Sequence, residues 1–423
     1  MSKHLPSRAN AVWLLFFTLL ACAPVANIVR VARAQTQPPP TAQAQPQQRP
    51  RRVTTSNEQG TPPKSPSNAN TDKPNAPVEV GDDEVLRVDT QLVPVPVVVR
   101  DKAGRPVANL RAGDFTLYED GRPQRIANFS TSDAPFEIAL LLDTSGSTRE
   151  DVGLIRRAAN LFIEALRPGD RVSIVSFSTQ QDGAHSTPVV EVKAPLTDDR
   201  QKLRDALDKI GSSYGTPYYD ALERVALEVF REPPREEVKG RRALVALTDG
   251  VDSSSEAEFE ESRARLRQSG VISYFIQVNT EDFVEERLLR DCQDNGRLSL
   301  SKAQLQRYRR IYASSADAAD YANFCQMGQF ERMDISRKLY QIARAEMAQL
   351  ARDSGGRTFN ALDLRDARQA FAQVAEEIGK LYSLGYYPTN KTRDGSFRRI
   401  SVEVRGIPGA QVTAREGYQA PKG

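Results

Sequence analysis

The chain has 423 residues, 39% hydrophobic and 27% charged, which is enough for two domains with at least one sizeable core. Its net charge is +3, but four cationic residues and no acid lie in the first 34 residues, so the remainder carries −1 and does not resemble a general nucleic-acid binder. The only histidines are His4 and His185, which nearly excludes a histidine-based catalytic triad or zinc site.

Residues 1–34 are predicted to be a signal peptide or membrane anchor. Lys3 and Arg8 form a basic start, an apolar stretch follows, and "ARA" at 32–34 is a candidate cleavage site. Two alternatives stay open: "LLAC" resembles a bacterial lipobox that would place a lipid on Cys22, and the apolar stretch is just long enough for an uncleaved anchor. All three predict an extracytoplasmic protein, periplasmic or secreted, with membrane attachment through the N-terminus in two of them.

Residues 35–82 are predicted to be a disordered linker. Ten of the 26 prolines fall between 38 and 77, among Gln, Thr, Asn and Ser, and no aromatic residue occurs from 35 to 114. Such a segment cannot bury enough apolar area to offset the entropy lost on ordering.

Two β-rich segments, 83–132 and 381–423, flank the centre of the chain. The first contains the Val-rich "VPVPVVVRD" and a predicted hairpin turning at Asp120-Gly121, and the second contains the alternating "ISVEV". Neither segment alone makes a stable sheet. We therefore predict that they pair as one small β-sandwich around an inserted domain.

The inserted domain, 133–380, alternates strands and helices. Apolar runs predict strands at 137–143, 171–178, 188–193, 242–248, 271–278 and 357–360. The first helix has one apolar face, made of Val152, Ile155, Ala159, Phe162, Ile163 and Leu166. The predicted fold class is α/β, with a doubly wound and mostly parallel sheet, in which ligands bind at the carboxyl ends of the strands.

Oxygen-bearing side chains follow two of these strands. In "LLLDTSGS", Asp143 ends the first strand and Ser145 and Ser147 follow, while Asp249 ends the strand "ALVALTDG". Thr216 stands just before a predicted helix in "SSYGTPYYDAL". If the two strands are neighbours, these side chains converge on one edge as an all-oxygen cluster, which is what a hard divalent cation such as Mg²⁺ prefers.

These residues carry a family resemblance. "DTSGS" is similar to the D-x-S-x-S signature of von Willebrand factor A (VWFA, Rossmann-like) domains, and the Thr of "GTPYYDAL" and the Asp of "LTDG" match its later elements in order. The set resembles a metal-ion-dependent adhesion site (MIDAS). That resemblance implies that Ser145, Ser147 and Thr216 bind the metal through hydroxyls, and that Asp143 and Asp249 bind it largely through water. Mg²⁺ is the implied ion, with Mn²⁺ or Ca²⁺ as alternatives.

The resemblance covers roughly 135–380, and the flanking β segments look like an exported, acidobacterial-type VWFA-related subfamily. Neutral hydroxyl ligands leave the ion electrophilic, so an Asp or Glu carboxylate of a protein partner is a favourable further ligand. The expected function is therefore an exported, metal-dependent, adhesion-type protein-binding module and not an enzyme.

Two other functions stay open at this point. One is a structural envelope module with a non-functional metal site. The other is a haloacid-dehalogenase-like phosphatase, whose motif looks like D-x-D-x-T, although here Ser145 stands where the general acid is needed. Asp220, in the same stretch as Thr216, is expected to face solvent or the start of its helix.

An insertion of about 55 residues, roughly 281–335, separates the strand at 271–278 from the next long helix. It leaves the carboxyl end of a parallel strand, so it is expected beside the metal as a wall that selects the partner. The alternatives are a cap without such a role and a site for a neighbouring subunit. It holds Cys292 and Cys325, which we predict to form a disulfide in an oxidising compartment. Two free thiols are the alternative.

Overall fold

The computed structural model describes residues 92–131, 134–145, 152–182, 185–212, 214–238, 241–290 and 300–423. The predicted leader at 1–34 and the predicted linker at 35–82 lie outside these ranges. Within them, no helix has both the length and the apolar composition needed to cross a membrane.

Fourteen strands and eight helices are labelled in chain order within the described residues. The strands are β1 Val93–Arg100, β2 Phe115–Glu119, β3 Arg122–Gln124, β4 Ile126–Ser130, β5 Glu137–Leu142, β6 Arg171–Asp182, β7 His185–Thr197, β8 Arg242–Thr248, β9 Ile272–Val278, β10 Arg357–Ala361, β11 Tyr382–Tyr386, β12 Phe397–Val404, β13 Gln411–Ala414 and β14 Gly417–Gln419. The helices are α1 Val152–Ala165, α2 Arg200–Asp208, α3 Tyr218–Arg224, α4 Phe259–Ser269, α5 Glu281–Arg290, α6 Lys302–Tyr312, α7 Gln329–Ser354 and α8 Ala367–Gly379.

A six-stranded sheet forms the centre of the molecule, in the order β10-β9-β8-β5-β6-β7. Every neighbouring pair is parallel except the β6–β7 hairpin. The six strands predicted from apolar runs are all present, which confirms the α/β fold class. The main difference is β7, which extends on both sides of the predicted 188–193 because it pairs along almost the whole of β6.

Helices cover both faces of this sheet, and the alternation within β5 shows why. Ile138, Leu140 and Leu142 pack into a core shared with α1, α2 and α8. Ala139 and Leu141 point the other way, into a core shared with α3, α4 and α7. A strand buried on both faces needs the unbroken apolar run that the sequence provides.

The flanking segments form a β-sandwich of two four-stranded antiparallel sheets, as predicted. One sheet has the order β13-β1-β11-β4 and the other β14-β12-β2-β3, so each contains strands from both ends of the described chain. Asp120 and Gly121 turn the β2–β3 hairpin with φ of 48° and 76°, the left-handed conformation that such a turn requires. A core that includes Val95, Leu117 and Leu384 lies between the sheets.

Arg241 lies where the chain passes between the sandwich and the central sheet. Its guanidinium donates to the carbonyls of Thr131 (3.0 Å) and Ala134, on the segment that leads into β5. It also donates to the carbonyls of Ile378 and Leu381, both at 3.3 Å, on the segment that leads out to β11. One buried side chain therefore connects the two chain segments that run between the sandwich and the central domain, which we call the two crossings.

A buried ion pair adds to this junction. Arg100 Nη2 of β1 lies 2.6 Å from Glu377 Oε1 of α8, close enough to pair although not aligned as a hydrogen bond, and both side chains are buried. Beside it, Val98 of β1 belongs to the core of the central sheet rather than that of the sandwich. The two domains therefore share buried apolar and charged contacts.

The predicted insertion at 281–335 is largely helical where it is described. It contains α5, α6 and the first residues of α7, which begins at Gln329 rather than beyond 335. The start of α7 is stabilised by a small core of its own, formed by Leu305, Phe324, Met327, Ile335 and Leu339. Cys325 lies in this part of the chain, whereas Cys292 lies outside the described residues, so the disulfide stays a prediction.

Candidate functional site

Two acidic residues meet at the carboxyl edge of the central sheet. Asp143 follows β5 and Asp249 follows β8, and these strands are parallel neighbours in register from Glu137–Arg242 to Leu142–Leu247. From β5 the chain continues to one side of the sheet, and from β8 to the other, so this edge is a topological switch point. Such points are where open α/β sheets bind ligands.

Asp143 is fully enclosed by the ends of the two strands. Its N–H donates to the Leu247 carbonyl at 2.9 Å. Its Oδ1 accepts from the Ser145 N–H at 2.9 Å, and its Oδ2 accepts from Thr248 Oγ1 at 2.6 Å. Burial, and after it the negative charge of Asp249, raises the pKa of Asp143 to about 7.

Asp249 is held by its own turn and by the start of the insertion. Its Oδ1 accepts from the Val251 N–H at 3.0 Å, and its Oδ2 accepts from Thr280 Oγ1 at 2.7 Å. The Thr280 hydroxyl also lies 2.7 Å from the hydroxyl of Tyr340 on α7. Burial, reinforced by the charge of Asp249, raises the pKa of Tyr340 well above its usual range, so this phenol stays neutral.

Thr216 reaches the same edge through the loop that follows Asp249. Its N–H donates to Ser253 Oγ at 2.8 Å, and its carbonyl accepts from the Ser253 N–H at 3.0 Å. Gly215 before it has φ of 66°, and a Cβ there would lie 1.9 Å from Thr179 Oγ1. The Thr179 side chain therefore leaves no room for a Cβ at Gly215, the residue before Thr216.

Asp252 is a further buried acid that sequence reasoning missed. Its Oδ2 accepts from the N–H groups of Tyr218 (2.9 Å) and Tyr219 (3.3 Å), the first two residues of α3, and from the Ser255 hydroxyl. Burial raises its pKa to about 6. It caps the helix that follows Thr216, where Pro217 offers no side-chain acceptor.

The structure places four of the five predicted metal-site residues together. Asp143, Ser145, Thr216 and Asp249 are all buried at the carboxyl edge of the sheet, whereas Ser147 lies outside the described residues. Asp220 accepts from the N–H groups of Glu256 (3.1 Å) and Ala257 (2.8 Å), so its carboxylate holds the loop that leads into α4.

The insertion contacts the loop that carries the site. Ser301, which caps α6, donates from its hydroxyl to the Ser253 carbonyl at 2.7 Å. Arg307 of α6 lies over the ring of Tyr219, 4.9 Å from its centroid, and bonds to both the Tyr219 hydroxyl and Glu346 of α7. The insertion is therefore fixed to α3 and α7 beside the candidate site.

The donor chemistry of this edge fits a divalent cation. In the described part of the chain, no three His, Cys, Asp or Glu side chains cluster as metal ligands. The candidate set instead combines two carboxylates with the hydroxyls of Ser145 and Thr216. A cation bound at this edge would offset the burial and the neighbouring negative charge that raise the pKa of Asp143, and hard cations accept hydroxyl and carboxylate oxygens.

The site residues missed by sequence reasoning had a weak signal. Thr248 precedes Asp249 directly, and Thr280 lies two residues after β9, so each is a hydroxyl at or beyond the end of a predicted parallel strand. If every polar residue at the carboxyl end of a predicted parallel strand had been taken as a candidate, both Thr248 and Thr280 would have been predicted as site residues. The sequence around Asp252 did not indicate that it caps α3, because that contact depends on how the loop after β8 folds.

The fold and the site define a class of domain. Residues 137–306 match the family model for the von Willebrand factor type A domain, and this part of the chain has that fold. The match covers less than half of the chain. A domain of this type suggests a protein-interaction module of the adhesion kind, and such domains often bind a metal.

Two solved structures have a similar fold. Proximal thread matrix protein 1 (PTMP1) from the mussel byssus is 14% identical over 67% of this chain, with a TM-score of 0.36, and the chain spans 50% of its length. The conserved hypothetical protein BatB from Bacteroides thetaiotaomicron is 15% identical over 57% of this chain and 98% of its own, with a TM-score of 0.33. These scores carry no argument about function. No curated protein matches the chain.

Proposed function

We propose that this protein is an exported, divalent-metal-dependent binding module that captures a protein partner through an Asp or Glu carboxylate. The observation that carries the proposal is the buried pair Asp143 and Asp249 at the switch point of the sheet, with the pKa of Asp143 raised by burial and by its neighbour's charge. Two acids buried together without a cation destabilise the folded protein, so a function that supplies a cation accounts for their presence.

Five residues would hold the ion. Asp143 and Asp249 would supply its negative charge, and Ser145, Ser147 and Thr216 would supply neutral hydroxyl oxygens. Mg²⁺ is the first candidate, with Mn²⁺ and Ca²⁺ as alternatives. Such an ion offers an electrophilic coordination position for a partner's carboxylate. Thr248 and Thr280 donate to the two acids and fix their orientation.

The surroundings of the edge suit a protein partner. Tyr214, two residues before Thr216, is 44% exposed, and exposed aromatic side chains are enriched in protein interfaces. The insertion stands beside the loop at Ser253 and would form one wall of the contact. We propose that it selects the partner.

The remaining parts of the proposal rest on the sequence alone. We propose that the leader exports the protein, and that the flanking β segments mark the acidobacterial-type VWFA-related subfamily. We also propose that the site binds and does not catalyse, because Ser145 stands where a phosphatase of the D-x-D-x-T type needs its acid.

Calorimetric titration with Mg²⁺ and Mn²⁺ tests the metal, and capture from envelope and culture fractions with Mg²⁺ or EDTA tests the partner. Thr216→Ala should bind Mg²⁺ only a few-fold more weakly than the wild type, because water replaces a neutral ligand, yet it should capture much less partner. Thr216→Ser keeps the hydroxyl and serves as the matched control, with capture near the wild-type level.

Two results would refute the metal-dependent function. The first is the absence of a calorimetric signal with either ion at millimolar concentration. The second is partner capture that is equal in Mg²⁺ and EDTA. Either result would leave the structural envelope module as the better account.

A further inference from the structure

A large cavity lies at the edge of the central sheet opposite the candidate metal site. Its volume is about 1660 Å³, and it opens between the amino ends of the parallel strands and the β-sandwich. Arg242 at the start of β8 and Gly270 just before β9 line one side, and Ser130 of β4 and Tyr418 of β14 line the other. Strands of seven residues separate this cavity from Asp249, a distance of about 20 Å.

The charge of the cavity is one-sided. Seven of the described residues that line it are Lys or Arg and none is Asp or Glu, although the whole chain has 58 cationic and 55 acidic residues. Arg242 is paired with the buried Glu137, its Nε lying 2.9 Å from Oε2. The other six cations are Arg235, Arg267, Lys391, Arg393, Arg415 and Lys422.

Few of these six charges are neutralised. Lys391, Arg393 and Lys422 form no ion pair with any residue in the described ranges. Arg267 lies over the ring of Phe397, 4.5 Å from its centroid, and not against a carboxylate. Arg235 has only an exposed partner at 3.7 Å, which contributes little in water.

Arg415 is the buried member of the group. It is 6% exposed, and its guanidinium donates to the carbonyls of Gly417 (2.9 Å), Pro94 (3.3 Å) and Arg267 (3.3 Å). It makes no ion pair with a described carboxylate. Burial lowers its pKa to about 10, because desolvation disfavours the charged guanidinium. An anion in the cavity would compensate that charge.

Ser130 gives a second and independent sign of a missing ligand. Its side chain is 6% exposed and lines the cavity, and its Oγ has no hydrogen-bond partner among the described residues. A buried hydroxyl left unpaired destabilises the fold, so it is rare without a reason. Ser130 ends β4, an edge strand of its sheet.

We propose that this cavity binds an acidic oligosaccharide, a sugar chain that carries carboxylate or sulfate groups. The unpaired cations suit the acidic groups, because Arg binds carboxylates and sulfates through paired N–H donors. Neutral hydrogen-bonding side chains also line the cavity and suit sugar hydroxyls, among them Asn128, Gln268 and Thr392. The volume exceeds the ~300–1,000 Å³ of an ordinary small-molecule pocket, which points to an oligomer.

The test is calorimetric titration of the full chain at low and at physiological salt. The probes are a galacturonate hexamer for carboxylates, a heparin hexasaccharide for sulfates, neutral maltohexaose, and a hexaglutamate peptide. One or both acidic sugars should bind, maltohexaose should bind at least tenfold more weakly, and EDTA should change nothing. Hexaglutamate should bind more weakly than the better acidic sugar, because a peptide leaves the neutral side chains unused.

Two variants and one control locate the binding. Lys391→Glu with Arg393→Glu reverses two exposed cations of the cavity and should weaken the acidic sugar at least tenfold. Arg365→Glu with Arg368→Glu reverses two exposed cations elsewhere, at the start of α8, and should leave the affinity unchanged. Ser130→Ala should weaken binding several-fold while the unfolding temperature without ligand stays the same or rises.

Three outcomes would overturn the proposal. One is that no acidic sugar binds at millimolar concentration. Another is that hexaglutamate binds as tightly as the sugars, which would assign the cavity to an acidic peptide. The last is an equal loss of affinity in the control pair, which would reduce the effect to the overall charge of the protein.

Discussion

Asp143 is a carboxylate whose ionisation is opposed both by burial and by Asp249. Its pKa of about 7 in the folded protein stands against 3.8 in the unfolded chain. The folded state therefore binds this proton more tightly, and the contribution of Asp143 to stability falls as the pH rises from about 4 to about 7. Above that range the ionised side chain is a constant cost to the metal-free fold.

We therefore predict that Asp143→Asn stabilises the metal-free protein at pH 8, by about 1–2 kcal/mol, and abolishes the stabilisation that Mg²⁺ gives the wild type. Urea unfolding in EDTA at pH 5 and pH 8 measures the first effect, since the gain should shrink at the lower pH. Asp208→Asn, an exposed acid at the end of α2, is the control. A variant that is less stable than the wild type at pH 8 would contradict this account.

At the scale of single residues, the sequence was informative where spacing is local: Asp143, Ser145, Thr216 and Asp249 each belong to a short recognisable stretch, and the structure places all four at the carboxyl edge of the sheet. Their role as metal ligands stays a prediction, as does that of Ser147. Thr248, Thr280 and Asp252 were missed because their partners are distant in sequence. The Thr280 hydroxyl, for example, meets Asp249 only because β9 lies beside β8.

At the scale of elements, α3 depends on an acceptor from another loop. Asp252 receives the N–H groups of Tyr218 and Tyr219, and losing it leaves the buried Tyr218 N–H unpaired, while Tyr219 keeps Ser255 Oγ at 3.0 Å as an acceptor. We predict that Asp252→Ala costs about 1–2 kcal/mol of stability and weakens partner capture by displacing Thr216. Asp252→Asn keeps one acceptor oxygen and should cost less. Urea unfolding and the capture assay measure these effects.

The matched control for that variant is Asp199→Ala. Asp199 caps α2 in the same way, through the N–H groups of Gln201 and Lys202. α2 packs on the face of the sheet opposite to the one that α3 covers. The variant should lower stability by about 1 kcal/mol and leave capture unchanged. Equal capture by Asp252→Ala and the wild type would show that α3 does not position Thr216.

The insertion yields a prediction about covalent structure. A bond between Cys292 and Cys325 would close a loop of about 30 residues and stabilise the insertion by roughly 3–4 kcal/mol in the chain-entropy model. Replacing both cysteines by serine should then lower the unfolding temperature of oxidised protein but not that of reduced protein. Two reactive thiols in unfolded, unreduced mature protein would refute the bond.

The elements themselves were predictable to different degrees. A strand buried on both faces has a continuous apolar sequence. The predicted bounds of β5 and β8 therefore agree with the observed bounds to within one residue. The helices of the insertion were not predicted because α6 has a polar, tyrosine-rich sequence. Its position is stabilised by tertiary contacts such as Leu305 in the small core and Arg307 against Tyr219.

At the scale of the whole molecule, stability depends on the junction at Arg241. We predict that Arg241→Ala costs about 2–4 kcal/mol, because it leaves carbonyls of both crossings unpaired in a buried site. Arg241→Lys should recover a minor part, since an ammonium has fewer donors and a different geometry. Denaturant unfolding should change from one transition to two as the domains uncouple. A single unshifted transition would contradict this role.

The position of β1 has a mechanical consequence. β1 pairs with β11 through Val93–Val97 on one side and with β13 through Val97–Arg100 on the other, so its two halves are bonded to different neighbours. Release of β1 therefore has to break two separate sets of strand pairing. Tension applied to the chain at Leu92, and resisted by a partner held at the far edge of the central sheet, loads the pairing with β11 first and the pairing with β13 after it. The sandwich would then act as the clamp that keeps a loaded attachment intact.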